Sequence, residues 1–497
     1  MEIELKLQLP PSALAALRAD PLLAPLRSTR QQLENIYFDT EQHALAQAGI
    51  SLRLRSDGQH WRQTVKGRGS SQAGLHQREE IEFAVAGPAL EWQPLAGTSF
   101  EPTLTALREP LRPQFRTRFE RQLQLLCGAT GAHVELAIDQ GEILAGDRRE
   151  PLCELELELL DGPVDDVFSL ALLLVERHPL VLGHRSKAER GNRLAHGTPP
   201  SAPILKAAKP ALQPGADAQA VARQAITQSL AQWQSNEAGF LNPPDHQPYD
   251  SESLHQVRIA VRRLRVACGP LARAAEWNTA ELTPVRDGLR TLGQRLGAAR
   301  DWDVFIEETW PPLVNALHDA ALRQKLQEAA ALLQKTAHLQ ASAALQGRET
   351  QRLLLQLGRR LAQPDATATL PTDALAVRLD KLAHPLRQAL ARLEHLSPAR
   401  LHRLRIAAKQ LRYLTEFIGQ QYDPQATTLW LDWLKKAQAV LGARNDRMAA
   451  KIHLRALCTD LDRPAARQVH KQLLSALQKH ALPELALPPL PAPYWRR

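Results

Sequence analysis

Along Glu2-Ile3-Glu4-Leu5-Lys6-Leu7, two carboxylates and an ammonium alternate with three aliphatic side chains. A β-strand sorts such a sequence onto two faces, because successive side chains point to opposite sides. The same sorting recurs further on. Arg53 and Arg55 share a face against Leu52 and Leu54, and Gln63-Thr64 lead to Lys66. Arg78, Glu80 and Glu82 fall on one side of their run, as do Thr117, Phe119 and Arg121. A further run closes on Asp139, and Cys153-Glu154-Leu155-Glu156-Leu157-Glu158 aligns three carboxylates opposite its leucines. Lys187 and Arg190 add two cations. Any one of these strands alone reads as an ordinary wet face. Repeated over at least five strands, the pattern implies a barrel lined by ionised groups of both signs, with its apolar sides packed outward against helices. Charges crowded that closely must be paired, metal-bound or met by a charged ligand. Arginine and lysine suit phosphate oxygens, and clustered carboxylates suit a hard divalent cation that bridges to phosphate.

A second basic pattern lies in the C-terminal half. His255, Arg258, Arg262 and Arg265 follow the i, i+3, i+7, i+10 stripe of a helix, and His402, Arg405, Lys409 and Arg412 repeat it. Leu296-Gly297-Ala298-Ala299-Arg300-Asp301 follows the first copy as Leu441-Gly442-Ala443-Arg444-Asn445-Asp446 follows the second, with Asn445 in place of Arg300. A single cationic stripe is usually a solvated surface. The same spacing kept twice, headed each time by histidine, is poorly explained as a solvated surface. Nucleic acid itself is disfavoured, because aromatics for base stacking make up only 5% of the chain and Tyr413 alone lies near the stripe.

The elements that must carry these residues fall into two halves. Strands are expected at 2–9, 33–39, 50–57, 60–67, 75–85, 114–126, 132–139, 142–146 and 152–160, with helices at 12–20, 41–48 and 164–178. So many antiparallel-type strands in a domain of residues 1–198 imply a barrel or a strongly curled sheet. Residues 199–216 break every periodicity and read as a linker. Residues 217–483 switch to helical period, and 484–497 form a Pro-rich tail. The fold class is therefore α+β in two domains: an antiparallel β-barrel, then an all-α pseudo-symmetric pair of helical bundles. With 497 residues the chain is long enough for both, and a net charge of +9 favours an anionic partner. Four scattered cysteines give no CxxC pair, no basic-then-apolar leader is visible, and no apolar run is long enough to span a bilayer. A cytoplasmic location without membrane contact is the expectation.

The N-terminal motifs resemble the CYTH superfamily of triphosphate tunnel metalloenzymes, whose ExExK signature matches Glu2-Ile3-Glu4-Leu5-Lys6. Ile36-Tyr37-Phe38-Asp39-Thr40, Leu52-Arg53-Leu54-Arg55, Gln63-Thr64-Val65-Lys66, Glu154-Leu155-Glu156 and Ser186-Lys187 extend the match in the family's order. The resemblance implies an eight-stranded antiparallel tunnel that hydrolyses triphosphate with Mg²⁺ or Mn²⁺. It implies Glu2, Glu4, Glu154, Glu156 and Glu158 as metal ligands, and Asp139 as a metal ligand or the group that orients water. Lys6, Arg53, Arg55, Lys66, Arg121, Lys187 and Arg190 would hold phosphate. The helical half resembles the CHAD domain, which implies a channel binding inorganic polyphosphate through the two basic stripes. Two other readings stay open: an adenylate cyclase using the same tunnel, and a non-catalytic polyphosphate-binding protein.

Overall fold

The computed structural model describes residues 2–198, 203–213, 215–242, 250–364, 373–459, 463–479 and 484–496. It divides into two compact units, the first made of Met1–Ser201 with Gln346–Pro364, the second of the remainder. The expected linker is only partly described, since 199–202 and 214 lie outside these residues, as do the end of the expected helical domain at 480–483 and Arg497.

The first unit is one curled antiparallel sheet. Its strands are β1 (Glu2–Gln8), β2 (Ser28–Asp39), β3 (Ser51–Ser56), β4 (Trp61–Lys66), β5 (Ser70–Gln72), β6 (Leu75–Arg78), β7 (Glu80–Val85), β8 (Arg112–Cys127), β9 (His133–Ala145), β10 (Arg148–Asp161) and β11 (Val181–Leu182). They pair in the order β5-β6-β1-β10-β9-β8-β2-β3-β4-β7, with β11 also on β1. Eleven strands replace the expected eight, because β5, β6 and β11 are short additions to eight principal ones.

The expected strand 75–85 explains how the tunnel closes. It bends at Glu79, so that β6 pairs with β1 while β7 pairs with β4. One bent run of chain thus joins the two edges of the sheet, which leaves less unpaired edge exposed. The expected pair of strands 132–139 and 142–146 is one continuous strand, β9. Gln140-Gly141 reads as a turn, but the bare Gly141 lets β8 cross closely: a Cβ there would lie 2.0 Å from the Arg118 carbonyl oxygen.

Apolar faces pack outward, as the alternation requires. Leu5, Leu7, Leu155 and Leu157 are fully buried, as are Val167, Phe168, Ala171 and Leu174 of the helix Val164–Arg177. Each leucine, valine and phenylalanine among them contributes about 1.5–3 kcal/mol by leaving water. On another side Leu45, Leu52, Val65, Phe100 and Leu104 form a second core, part of it on a helix at Glu101–Leu107 that sequence pattern does not reveal.

One helix of the C-terminal half belongs to the first unit. Arg348–Ala362 buries Gln351, Leu354, Leu355, Gly358 and Leu361, a continuous i, i+3, i+4 face. It packs on the helix Val164–Arg177. Arg359 Nε donates to Asp165 Oδ1 at 2.6 Å. Gly358 permits the approach, since a Cβ there would come within 2.9 Å of the Phe168 ring.

The second unit is helical, and the internal repeat is visible in its packing. The basic helix Ser251–Val266 lies between Ala218–Leu241 and Thr279–Val304, and Pro398–Ile418 lies in the same way between Asp373–Ala389 and Pro424–Leu457. The described part of the expected linker is tied down, with Leu205 N donating to Asn236 Oδ1 at 3.2 Å and an Arg263 amino group to Ala208 O at 2.7 Å. The Pro-rich tail is likewise docked. Trp430 Nε1 donates to Ala492 O at 2.7 Å, and the Trp430 and Trp495 rings lie 4.7 Å apart. Among the described residues no helix is long and apolar enough to cross a membrane.

A fragment ending at residue 201 lacks the helix Arg348–Ala362 and exposes the face it covers. Its thermal midpoint is expected to fall several degrees below that of a single chain in which 346–364 is joined to it by a flexible linker, measured by circular dichroism.

Candidate active site

The tunnel encloses a cavity of about 340 Å³. Seven Lys/Arg and seven Glu side chains line it, together with Tyr37, Ser51, Thr64, Ser186 and Ala188. Of the expected residues, Glu2, Glu4, Lys6, Arg53, Arg55, Lys66, Arg121, Glu156, Glu158 and Lys187 are on its wall. Arg78, Glu80, Glu82 and Glu135 join them. The alternation marks Arg78, Glu80 and Glu82 as sharing a face, but not which way the bent strand turns that face.

The centre of the wall is a lattice of ion pairs. Lys6 Nζ donates to Glu4 Oε2 at 2.8 Å and also to Glu156. Arg121 forks onto Asp139 at 2.7 and 2.6 Å and reaches Glu156 Oε2 at 2.6 Å. Lys187 lies 2.7 Å from Asp139 Oδ2 and 2.9 Å from Glu156 Oε1, and also meets Glu154. Burial opposes the charge on Glu156, but Lys187, Lys6 and Arg121 overcome it and hold the carboxyl well below its usual range. Lys66 donates to Glu2 at 2.6 Å, and Arg78 Nε to the same carboxylate at 2.9 Å. Against the opposing effect of burial, these two cations hold Glu2 at about 2.

Local sequence sets the position of Lys187. Ser186 caps the helix Lys187–His196 in a reciprocal capping box, with Glu189 Oε2 accepting from Ser186 N at 2.7 Å. The first turn of that helix, Ser186-Lys187-Ala188, lines the cavity, and a helix N-terminus favours anions.

Three expected residues stand behind the wall. Asp139 is fully buried, with Arg121 and Lys187 on its oxygens, so it holds those two cations in place. Glu154 takes Lys187 and Arg190, and Arg190 is turned toward Glu150 and Glu154. Asp139, Glu154 and Glu156 each bring a carboxylate oxygen within 4.8 Å of the others. The Lys187 ammonium contacts all three.

Two groups of the wall, opposite in sign, make no close ion pair among the described residues, and the pull of Glu82 on Arg55 and of Lys66 on Glu158 is outweighed by like charges. Arg55, with its Nε 3.1 Å from Asn35 Oδ1, is pushed down to about 10 by burial and then by Arg53 and Arg121. Glu158 is pushed up to about 7 by burial and then by Glu2 and Glu4. A hard divalent cation would relieve the crowding that raises Glu158, although among the described residues the carboxylates that bring their oxygens within 4.8 Å of one another are Asp139, Glu154 and Glu156. Arg53 and Arg55 fit an anion.

In the second unit the two basic helices bring Arg258, Arg262, Arg405 and Lys409 into one electrostatic cluster. Arg258 pairs with Asp301 at 3.3 Å and is pushed down to about 10 by burial and Arg262. Lys409 is pushed down to about 6 by burial, then by Arg262, Arg405 and Arg258. His255 adjoins the cluster, its basicity lowered by burial and by Arg300. The other expected members have further surroundings of their own, although Arg262 still acts on Arg265. Arg265 lines a separate basin of about 410 Å³ with Arg286 and Arg290, Arg412 Nε donates to Glu416 at 2.8 Å, and His402 is exposed.

A group whose folded pKa lies below its unfolded one destabilises the fold fully below the folded value. That penalty fades as pH rises toward the unfolded value. For Lys409 the window runs from about 6 up to 10.5. Lys409→Met is therefore expected to be more stable than the parent chain by about 1 kcal/mol or more at pH 6. The gap should shrink steadily toward pH 10, read as urea midpoints across the range.

Comparison with known proteins places these features. A family model described as the CYTH domain matches residues 1–191, and one described as the CHAD domain matches 224–455. An inorganic triphosphatase of Haemophilus influenzae is 32% identical over 196 residues, which cover 38% of this chain and 54% of that protein. The match thus spans about half the length of that relative. An uncharacterized protein of Mycobacterium tuberculosis is 27% identical over 462 residues, covering 86% of this chain and 82% of its own. Among solved structures, a CHAD domain from the plant Ricinus communis aligns at 27% identity with a TM-score of 0.41, covering 57% of this chain and 98% of its own. A putative adenylyl cyclase from Hippeastrum, described as having a dominant triphosphatase activity, aligns at 23% identity and TM-score 0.31, covering 39% and 95%.

Proposed function

For a chain matched by the CYTH family model over residues 1–191 and by the CHAD family model over residues 224–455, we propose metal-dependent hydrolysis of inorganic triphosphate in the tunnel and polyphosphate binding by the helical unit. The observation that carries the first part is the paired deficit of the wall. Arg55 is short of negative charge, Glu158 is short of positive charge, and both face one cavity. A metal–triphosphate complex supplies both at once. The relative from Haemophilus influenzae supports the same reading over this domain.

In this reading Glu2, Glu4 and Glu158 hold Mg²⁺ or Mn²⁺, with Glu156 beside them. The bound cation supplies positive charge to phosphate oxygens. Arg53 and Arg55 take phosphoryl oxygens from the other wall, and the first turn of the helix Lys187–His196 adds a further anion-holding end. Lys6, Arg121 and Lys187 exchange part of their carboxylate contacts for phosphate oxygens and stabilise the charge that develops as the phosphoanhydride opens. Asp139 and Glu154, behind the wall, keep Arg121 and Lys187 aimed. Water is the nucleophile, and pyrophosphate and orthophosphate leave.

In the helical unit Arg258, Arg262, Arg405 and Lys409 take the polyphosphate. Their mutual repulsion is relieved when phosphates arrive between them. Four unpaired cysteines suit a reducing cytoplasm.

Purified protein is expected to release orthophosphate from tripolyphosphate only with Mg²⁺ or Mn²⁺, and Glu4→Gln should lower kcat/KM by about 10²-fold or more. Release without metal, an unaffected Glu4→Gln, or cyclic AMP from ATP as the dominant product would reject the proposal.

A further inference from the structure

The helix Arg348–Ala362 lies outside the tunnel and carries none of its lining residues, yet it backs both segments that grip the main chain of Lys6. The first grip is on the amide: Lys6 N donates to Gly74 O at 3.0 Å. Gly74 follows Ala73, which is fully buried and held at φ +50, the left-handed region that a non-glycine residue occupies only under constraint. Directly behind Ala73 is Gly358, where an added Cβ would stand 2.8 Å from the Ala73 Cβ. The second grip is on the carbonyl: Gly183 N donates to Lys6 O at 2.8 Å. Gly183 follows β11, whose Leu182 N donates to Gln351 Oε1 at 2.9 Å. Gln351 is 1% exposed. The same β11 leads through Gly183 to Ser186 and Lys187.

Taken together, these contacts run from one helix face through two turns to a single residue. We propose that the helix Arg348–Ala362 is a positioning element of the tunnel, and that Gln351, through Leu182 and Gly183, fixes the backbone from which Lys6 reaches Glu4 and Glu156. The catalytic consequence rests on the triphosphatase reading above; the positional one does not. Lys6 needs such support because its side chain bridges two carboxylates on neighbouring strands. A small shift of its Cα would trade one partner for the other. Displacements of about 1 Å at groups of this kind lower turnover by up to about 10²-fold. The ion pair of Arg359 with Asp165 anchors the same helix to the helix Val164–Arg177.

The test uses the full-length chain with Gln351→Met, which keeps length and loses the acceptor, and Gln351→Asn, which withdraws the acceptor with a smaller change in packing. Gln351→Glu restores an acceptor oxygen, and Arg359→Ala serves as the anchoring control. In Gln351→Met and Gln351→Asn, deuterium exchange at the Lys6 and Gly183 amides is expected to quicken about tenfold or more, with no such change in Arg359→Ala. Turnover of tripolyphosphate should fall about tenfold in kcat with KM within about twofold, and Gln351→Glu should recover most of it. Unchanged exchange at both amides in Gln351→Met and Gln351→Asn would overturn the proposal. So would an equal kcat loss in Arg359→Ala. If the exchange responds as expected but the parent chain hydrolyses no triphosphate, the helix keeps its role and the functional reading falls instead.

Discussion

Fourteen ionisable side chains around about 340 Å³ cannot be taken out of water singly. Desolvating one carboxylate or ammonium costs several kcal/mol, and breaking one partner from a buried pair costs about 3–5 kcal/mol. The fold answers with shared contacts. Glu156 meets Lys6, Arg121 and Lys187, and Lys187 meets Asp139, Glu154 and Glu156. Register makes this possible: β1 and β10 pair Lys6 with Glu156 and Glu4 with Glu158, and β9 sets Asp139 beside Glu154. A slip of one residue would turn every one of these groups to the apolar side. The leucines that alternate with them therefore protect the site as much as they stabilise the sheet.

The lattice is incomplete by design of the sequence. Its middle is balanced, while Arg55 and Glu158 are each acted on more strongly by like charges than by the opposite charges of Glu82 and Lys66. Full neutralisation inside the protein would leave nothing for a ligand to gain. The helical unit follows the same rule with one sign only: Arg258, Arg262, Arg405 and Lys409 repel one another, with Asp301 and Asp446 as partial relief.

Much of this is legible in the sequence, because period-two alternation of charge and leucine reports which face each residue occupies. Ten of the residues on the cavity wall follow from that alone or from the resemblance it led to. Alternation does not report depth along the tunnel, and so Asp139 and Glu154 share the right face yet sit behind the wall, while Arg190, on the helix Lys187–His196, is held by Glu150 and Glu154. Nor does it report a bend inside a strand, which is why the turn at Glu79 and the placement of Arg78 and Glu80 need the structure. Repeat spacing has the matching weakness. His255 and His402 hold equal places in sequence, but one adjoins the arginine cluster and the other is exposed. The most instructive miss is Arg348–Ala362. Its apolar face is plain, but a helical period says only that a face is buried, not in which core.

That misplaced helix has a consequence for biosynthesis. The last strand of the sheet, β11, ends at Leu182, yet the helix that seals the unit closes at Ala362. On the ribosome, at about 5–20 residues per second, the finished sheet must wait on the order of ten seconds or more for its last piece. During that interval Phe168, Ala73 and the Leu182 amide remain uncovered in the nascent chain. The first unit is thus completed only after residues 202–345 of the second have been translated, and the chain order alone imposes an interval in which a chaperone has something apolar to hold.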